Sequence, residues 1–394
     1  MIYNKIKENN LSLLGFGTMR LPLDANGVID ELQLDEMVKI AFENGVNYFD
    51  TAYPYHGGMS EVAIGKALSK YPRDSYYLAD KFPGHMLIGN FNPKEIFEEQ
   101  LERCGVEYFD YYLFHNVNEN SIKIYKNENL KILEYLIEEK KNGRIKHLGF
   151  SSHGLIDNLK EFLDYVGDET EFCQIQLNYL DWDMQNAKEK YEILTERNIP
   201  VWVMEPVRGG KLAVLPAELE NRLKDKNPNN SIASWGFRWL QSLPNVKMVL
   251  SGMSNIEQMK DNIKTFEKFN PTSKDEESML FEIANILKDA VPCTSCRYCC
   301  DGCPIGLDIP KLISLYNDFK FQQSIIIPIM VESLDESKQP DKCLKCGKCA
   351  RACPQKIDIP RVLADFAERL SKVPSWAEVC KQRAEEREKN KKKK

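Results

Sequence analysis

Val46-Asn47-Tyr48-Phe49-Asp50-Thr51 is a short, largely apolar run that ends in polar groups. Runs of the same kind recur at 76–81, 109–115, 145–151, 173–178, 200–205 and 246–251. Segments of this length and composition read as strands. Between them lie stretches with a helical period: 32–43, apolar at Leu34, Met37, Val38 and Ala41, then 93–104 and 130–141. Residues 11–18 supply a first strand, so eight strands alternate with helices. That order and length predict a closed (β/α)8 TIM barrel. A doubly wound open sheet shares the alternation, but no G-x-G-x-x-G follows the early strands, which argues against its dinucleotide-binding form.

The rhythm stops near Asn270-Pro271-Thr272-Ser273. The expected organisation is a barrel over 1–272, a linker over 273–290 carrying a helix at 276–287, a smaller and mainly helical domain over 291–372, and a charged tail over 373–394. A chain of 394 residues is long for one core and suits a large domain plus a small one. Its apolar fraction of 43% and charged fraction of 28% are those of a soluble globular protein. A net charge of -6 argues against nucleic acid as the main partner. The first residues lack the basic-then-apolar profile of a signal peptide. The longest apolar run, Ile325-Ile326-Ile327-Pro328-Ile329-Met330-Val331, is too short to span a bilayer. The expectation is a cytoplasmic protein without a membrane span. The tail, ending Lys-Asn-Lys-Lys-Lys-Lys, reads as a solvated charge run.

The chain has 12 cysteines. Cys104, Cys173 and Cys380 stand alone, and the rest fall in two blocks after residue 290. Clustering at ligand spacing reads as metal binding, not cross-linking. The blocks are Cys293-x2-Cys296-x2-Cys299-x3-Cys303-Pro304, with Cys300 as an extra thiol, and Cys343-x2-Cys346-x2-Cys349-x3-Cys353-Pro354. Two residues between ligands let a turning backbone present three thiolates to one cubane, while the fourth, before proline, commonly serves the other cluster. Zinc also takes Cys-x2-Cys pairs, but it leaves the third regular cysteine and the trailing Cys-Pro unexplained. The pattern predicts two [4Fe–4S] clusters. The blocks resemble the bacterial-type dicluster ferredoxin motif, and their wide separation, with a helix at 309–319, is closer to the helical dicluster domains of iron–sulfur subunits. The resemblance implies one cluster on Cys293, Cys296, Cys299 and Cys353, and another on Cys343, Cys346, Cys349 and Cys303. Leu307-Asp308-Ile309-Pro310 and Ile357-Asp358-Ile359-Pro360 follow the blocks as a near-repeat that opens a helix. Cys300 is either a replacement for Cys299 as ligand or a buried bystander, and the bystander reading is preferred.

Catalytic groups of a (β/α)8 barrel sit at the C-terminal ends of its strands. The second to fourth strand ends offer Asp50, Lys81 and His115, with Tyr55 in the loop after Asp50. Singly, each has a plainer reading: a capping aspartate, a surface lysine, a half-buried ring, a hydrogen-bonded core histidine. Together they form a complementary polar set on three successive strands. The barrel then resembles the aldo-keto reductase family over roughly 10–265. The matching stretches are Val46-Asn47-Tyr48-Phe49-Asp50-Thr51-Ala52-Tyr53-Pro54-Tyr55-His56-Gly57, Ala79-Asp80-Lys81, Asp110-Tyr111-Tyr112-Leu113-Phe114-His115, Gly149-Phe150-Ser151-Ser152 and Cys173-Gln174-Ile175-Gln176. The resemblance implies that Tyr55 is the general acid for carbonyl reduction. It implies that Lys81, salt-bridged to Asp50, lowers the Tyr55 pKa, and that His115 orients the carbonyl. It further implies that Ser151, Ser152 and Gln174 hold the carboxamide of a nicotinamide cofactor, with other contacts at Met204, Val207, Gly209, Gly252, Met253, Gln258 and Asn262.

Two departures bear on the cofactor. Met204 stands where many family members stack an aromatic ring on the nicotinamide. Gly252 and Gln258 stand where NADPH users often place Lys and Arg, so NADH is slightly favoured over NADPH, and a flavin linking substrate to clusters is a third choice. Arg208, Lys211 and Lys260 are the other bases near that site. Hydride moves two electrons, whereas each cluster passes one. The reading preferred is an oxidoreductase that reduces a small carbonyl, or oxidises the alcohol, with a nicotinamide cofactor, and whose clusters exchange electrons with a redox protein partner. The alternatives are an electron-transfer or redox-sensing module on a barrel without hydride transfer, and a flavin-linked barrel.

Overall fold

The computed structural model describes residues 1–86, 91–287, 290–321 and 326–374. The charged tail from residue 375 onward, with Cys380, lies outside the described residues. Two compact units divide the chain, Met1–Asn285 and Ile286–Lys394.

Among the described residues of the first unit, eight strands close into a barrel: β3 (Leu14–Gly17), β4 (Tyr48–Asp50), β5 (Tyr77–Phe82), β6 (Phe109–Val117), β7 (Ile145–Ser152), β8 (Cys173–Gln176), β9 (Val201–Met204) and β10 (Val246–Ser251). Every neighbouring pair is parallel, and β10 pairs with β3, which rules out the open sheet. The strand expected over 11–18 is split. Leu11 and Ser12 belong to a hairpin of β1 (Tyr3–Ile6) and β2 (Asn9–Ser12), and the barrel strand begins at Leu14. Asn9 donates to the Tyr111 hydroxyl at 2.8 Å, and Ile6 and Leu11 pack with Tyr48, Tyr111 and Trp202. The hairpin thus adds its apolar side to the barrel core. Burying each such aromatic contributes about 2–3 kcal/mol.

The helices expected at 32–43, 93–104 and 130–141 are Glu31–Glu43, Pro93–Cys104 and Ile132–Lys141. Asp30 caps the first through Gln33 N, and Asn92 caps the second through Lys94 N ahead of Pro93. Pro93–Cys104 lies close against the helix Met59–Leu68 because Gly65 has no side chain. A Cβ there would stand 2.3 Å from the Cys104 carbonyl oxygen. This contact brings Gln100 and Glu61 behind the site described below.

The segment expected as a linker carries the helix Lys274–Leu287, most of which belongs to the barrel unit. Buried Arg238 explains this: its guanidinium makes a bidentate pair with Glu276 at 3.0 and 2.8 Å, and Phe281 packs edge-on to Trp239.

The second unit is a duplication in backbone as well as in sequence. Left-handed residues recur at equivalent places: Ser295 and Lys345, Arg297 and Gly347, Gly306 and Lys356. Each block leads to a helix, Ile309–Phe321 or Ile359–Leu370. Leu307, Ile309 and Leu312 pack with Ile357, Ile359 and Leu363 to form a small core. No helix among the described residues is long and apolar enough to cross a membrane.

Candidate functional site

Three successive strands deliver the polar set. Asp50 ends β4, Lys81 lies near the end of β5 and His115 near the end of β6. Lys81 Nζ donates to Asp50 Oδ1 and to the Thr51 carbonyl, each at 2.5 Å, and neither charged side chain reaches solvent appreciably. Tyr55, in the turn after β4, lies with its ring centroid 5.0 Å from Lys81 Nζ and 5.9 Å from the His115 ring, nearly perpendicular to it. The four residues therefore meet at one place. Behind them, Gln100 Nε2 donates to the Lys81 carbonyl at 3.1 Å and to Glu61 at 3.0 Å, while the Tyr112 hydroxyl donates to Gln100 Oε1. The Thr18 hydroxyl holds the Asp50 carbonyl at 2.9 Å. This shell fixes the lysine stem and the strand end that carries the aspartate.

Burial pushes the Asp50 carboxyl up, and Lys81 opposes it. Burial, reinforced by the carboxylates of Asp50, Glu205 and Asp80, pushes the Tyr55 phenol well above the ordinary tyrosine value, with Arg20 opposing. The lowering expected from Lys81 is not what these surroundings produce. The physical reason is that the Lys81 charge is taken up by Asp50 at contact distance. Tyr55 is therefore held protonated, the state an acid needs. His115 is pushed well below the ordinary histidine value by burial and by His85, Lys81 and His153, so it is neutral.

Four residues at the same mouth carried no motif in the sequence. The His85 ring stands 4.5 Å from the His115 ring, and burial lowers the pKa of His85 to about 4 and of His153 to about 3. Glu205, just past β9 and in a left-handed conformation, is raised to about 6 by burial. Arg20, in the turn after β3, lies 3.9 Å from Glu205 and packs along Gly252, where a Cβ would stand 3.3 Å from the arginine stem. The available signal was positional: each lies in or at the start of a loop following a barrel strand.

The expected cofactor positions divide into three groups. Ser152 and Gln174 lie on adjacent strands, and Ser152 Oγ and Gln174 Oε1 are buried without a hydrogen-bond partner among the described residues. A donor and an acceptor so placed fit a carboxamide group. Ser151 Oγ already accepts from the Asn116 amide at 2.8 Å but keeps its own proton to donate. Asn262 donates to Ser251 Oγ at 2.9 Å, and Met253 is buried in the barrel, so these two support the loop from behind. Gln258 receives Ser254 N at 2.8 Å and Asn255 caps its helix through Gln258 N. Met204, Val207 and Gly209 are partly exposed along the β9 loop. Arg208 is committed elsewhere: it is buried, with Nη2 3.1 Å from Asp181 Oδ1 and Nε donating to Oδ2 at 3.2 Å.

In the second unit the cysteines surround two cavities. One is lined by Cys293, Cys296, Cys299 and Cys353 together with Ile313 and Ile357. The other is lined by Cys303, Cys343, Cys346 and Cys349 together with Leu307 and Leu363. Cys300 lines neither and packs against the core. Four thiols in an apolar wall are the donor set of a cubane cluster. Among the described residues no three His, Cys, Asp or Glu side chains converge closely enough for a single ion, whereas ligands of a cubane stand around a larger core.

Residues 13–285 match the model of the Aldo/keto reductase family, and residues 292–357 match that of the 4Fe-4S dicluster domain. An NADH-specific methylglyoxal reductase of Escherichia coli (strain K12) is 29% identical over 221 residues, which are 51% of this chain and 65% of that protein, just under two thirds of its length. An L-galactose dehydrogenase of Arabidopsis thaliana is 26% identical over 299 residues, 71% of this chain and 91% of the relative. The holo form of aldo-keto reductase AKR11C1 from Bacillus halodurans superposes with a TM-score of 0.59 at 25% identity, covering 72% of this chain and 96% of the other. The chain belongs to the aldo/keto reductase family and carries, after its barrel in sequence, a 4Fe-4S dicluster domain.

Proposed function

We propose that this oxidoreductase reduces a small carbonyl compound, or oxidises the corresponding alcohol, with a nicotinamide cofactor held at the C-terminal mouth of the barrel. The observation that carries the reading is the meeting of Tyr55, Lys81, Asp50 and His115 at one place. When bound, the nicotinamide supplies or takes up hydride, and [4Fe–4S] clusters carry single electrons. Reduction builds negative charge on the substrate oxygen, and Tyr55, held protonated, donates its hydroxyl proton to that atom. Lys81, anchored on Asp50, keeps a positive charge beneath the developing phenolate. Neutral His115 offers a ring nitrogen to orient the carbonyl. Ser152 and Gln174 hold the carboxamide, with Ser151 beside them. The names of the relatives point to small aldehydes and sugars as the substrate class.

The clusters are assigned to Cys293, Cys296, Cys299 and Cys353, and to Cys303, Cys343, Cys346 and Cys349, with electrons exchanged with a separate redox protein in the cytosol, where thiols stay reduced. The E. coli relative is named NADH-specific, and the absence of a base at Gly252 and Gln258 supports the same preference here. Replacing Tyr55→Phe tests the catalytic reading. Nicotinamide binding, followed by fluorescence quenching, should stay near that of the parent. Carbonyl turnover should fall on the order of 10²–10⁴-fold. A variant that turns over like the parent would remove Tyr55 from the mechanism.

A further inference from the structure

The two halves of the dicluster unit share a backbone but not a surface. Over 293–308 the first half carries Arg297 against Asp301 and Asp308; over 343–358 the second carries Lys345, Lys348, Arg351 and Lys356 against Asp358. All four of those cations are exposed. Lys345, Lys348 and Arg351 have no ion pair among the described residues, whereas Arg297 is paired with Asp308 at 3.1 Å. The apolar detail differs in the same way. Thr294 is 2% exposed, and its counterpart Leu344 is 61% exposed beside Cys346, itself an exposed cysteine.

We propose that this face, where Leu344 and Cys346 are flanked in sequence by the exposed Lys345, Lys348 and Arg351, is the docking surface for a small acidic one-electron carrier. The cavity lined by Cys303, Cys343, Cys346 and Cys349 is then the port through which electrons pass. The inference rests on the reading that these cysteines hold clusters, and adds which cluster faces the partner and what charge that partner bears. Electron transfer slows steeply with distance, so a carrier must reach the cluster with the exposed edge. Three exposed cations without an ion pair among the described residues, flanking one apolar side chain, suit a small, transient and electrostatically steered contact. The whole chain is acidic at -6, so this patch runs against its overall charge. In the reducing direction one electron leaves the reduced carrier and one enters the cluster, and no bond is made or broken.

The test uses the full cluster-loaded chain under anaerobic conditions, with a bacterial flavodoxin as the acidic probe. Affinity is measured by calorimetry, and electron transfer by stopped-flow bleaching of the visible band. The parent should bind flavodoxin and lose on the order of tenfold in affinity between roughly 50 and 300 mM salt. Lys345→Glu, Lys348→Glu and Arg351→Glu combined should weaken binding at least about tenfold, with iron content and bleaching by dithionite unchanged. Should that triple variant fail to fold, the single changes Lys345→Gln and Lys348→Gln should each weaken binding about two- to fivefold. Arg297→Gln, in the first half, should stay within about twofold of the parent.

Clusters that bleach with dithionite, together with flavodoxin affinity indifferent to the second-half charges, would overturn this inference alone. So would equal losses from Arg297→Gln, or binding to anionic phospholipid vesicles but not to flavodoxin. A chain without iron or sulfide would overturn the cluster reading and this inference with it.

Discussion

Replacing Lys81→Met removes the cation from a buried pair whose side chains are 0% and 4% exposed, leaving Asp50 with neither carboxylate oxygen paired to charge. Breaking such a pair from one side costs about 3–5 kcal/mol when the remaining charge must stay ionised. Asp50 has an escape, because burial already raises its pKa and Lys81 is what opposes the rise. Without Lys81 the carboxyl takes up a proton in the folded state. A folded pKa above the unfolded value gives stability that is present at low pH and lost as pH rises through the folded pKa. The variant should therefore lose about 3 kcal/mol or more at pH 8.5 and distinctly less at pH 5.

Urea unfolding followed by tryptophan emission suits the measurement. Trp182, Trp202, Trp235 and Trp239 lie in the barrel unit and only Trp376 falls outside it. Adding Asp50→Asn to Lys81→Met should recover most of the loss at pH 8.5. An equal loss at both pH values, untouched by Asp50→Asn, would refute the buried-pair reasoning.

Two further outcomes follow from the same mouth. NADH should bind at least as tightly as NADPH, and Gln258→Arg should shift preference toward NADPH; tighter NADPH binding in the parent, abolished by Arg20→Ala, would instead make Arg20 the base that serves a 2′-phosphate. Glu205, raised to about 6, contributes stability that is lost as pH rises through that value. Glu205→Gln should gain stability over the parent at pH 8 and not at pH 4, read by the same unfolding assay.

The barrel was legible because each strand is a compact apolar run and each helix keeps its period, so Pro93–Cys104 could be bounded to the residue. The hairpin of β1 and β2 was not. Its strands are four residues each and mix Asn, Lys and Ser with single apolar positions; they pair with each other, and the apolar contact of Ile6 and Leu11 with the barrel core is made only in the closed fold. The linker helix was read correctly as helix but its allegiance depends on the Arg238–Glu276 pair, a contact between residues far apart in sequence.

Asp50, Tyr55, Lys81 and His115 could be named because strand ends are predictable places. His85, His153, Arg20 and Glu205 sit in or at the start of loops, where only the closed barrel brings them to the same mouth. The cysteine blocks were the clearest signal, since ligand spacing is local and the duplicated loops repeat their backbone.

The central claim is that an aldo/keto reductase barrel is joined to two [4Fe–4S] clusters. It is tested most directly by measuring iron and acid-labile sulfide in the chain purified without oxygen. The expected result is about eight iron and eight sulfide per chain, with a broad visible band bleached by dithionite. Stoichiometric zinc with no acid-labile sulfide would contradict it.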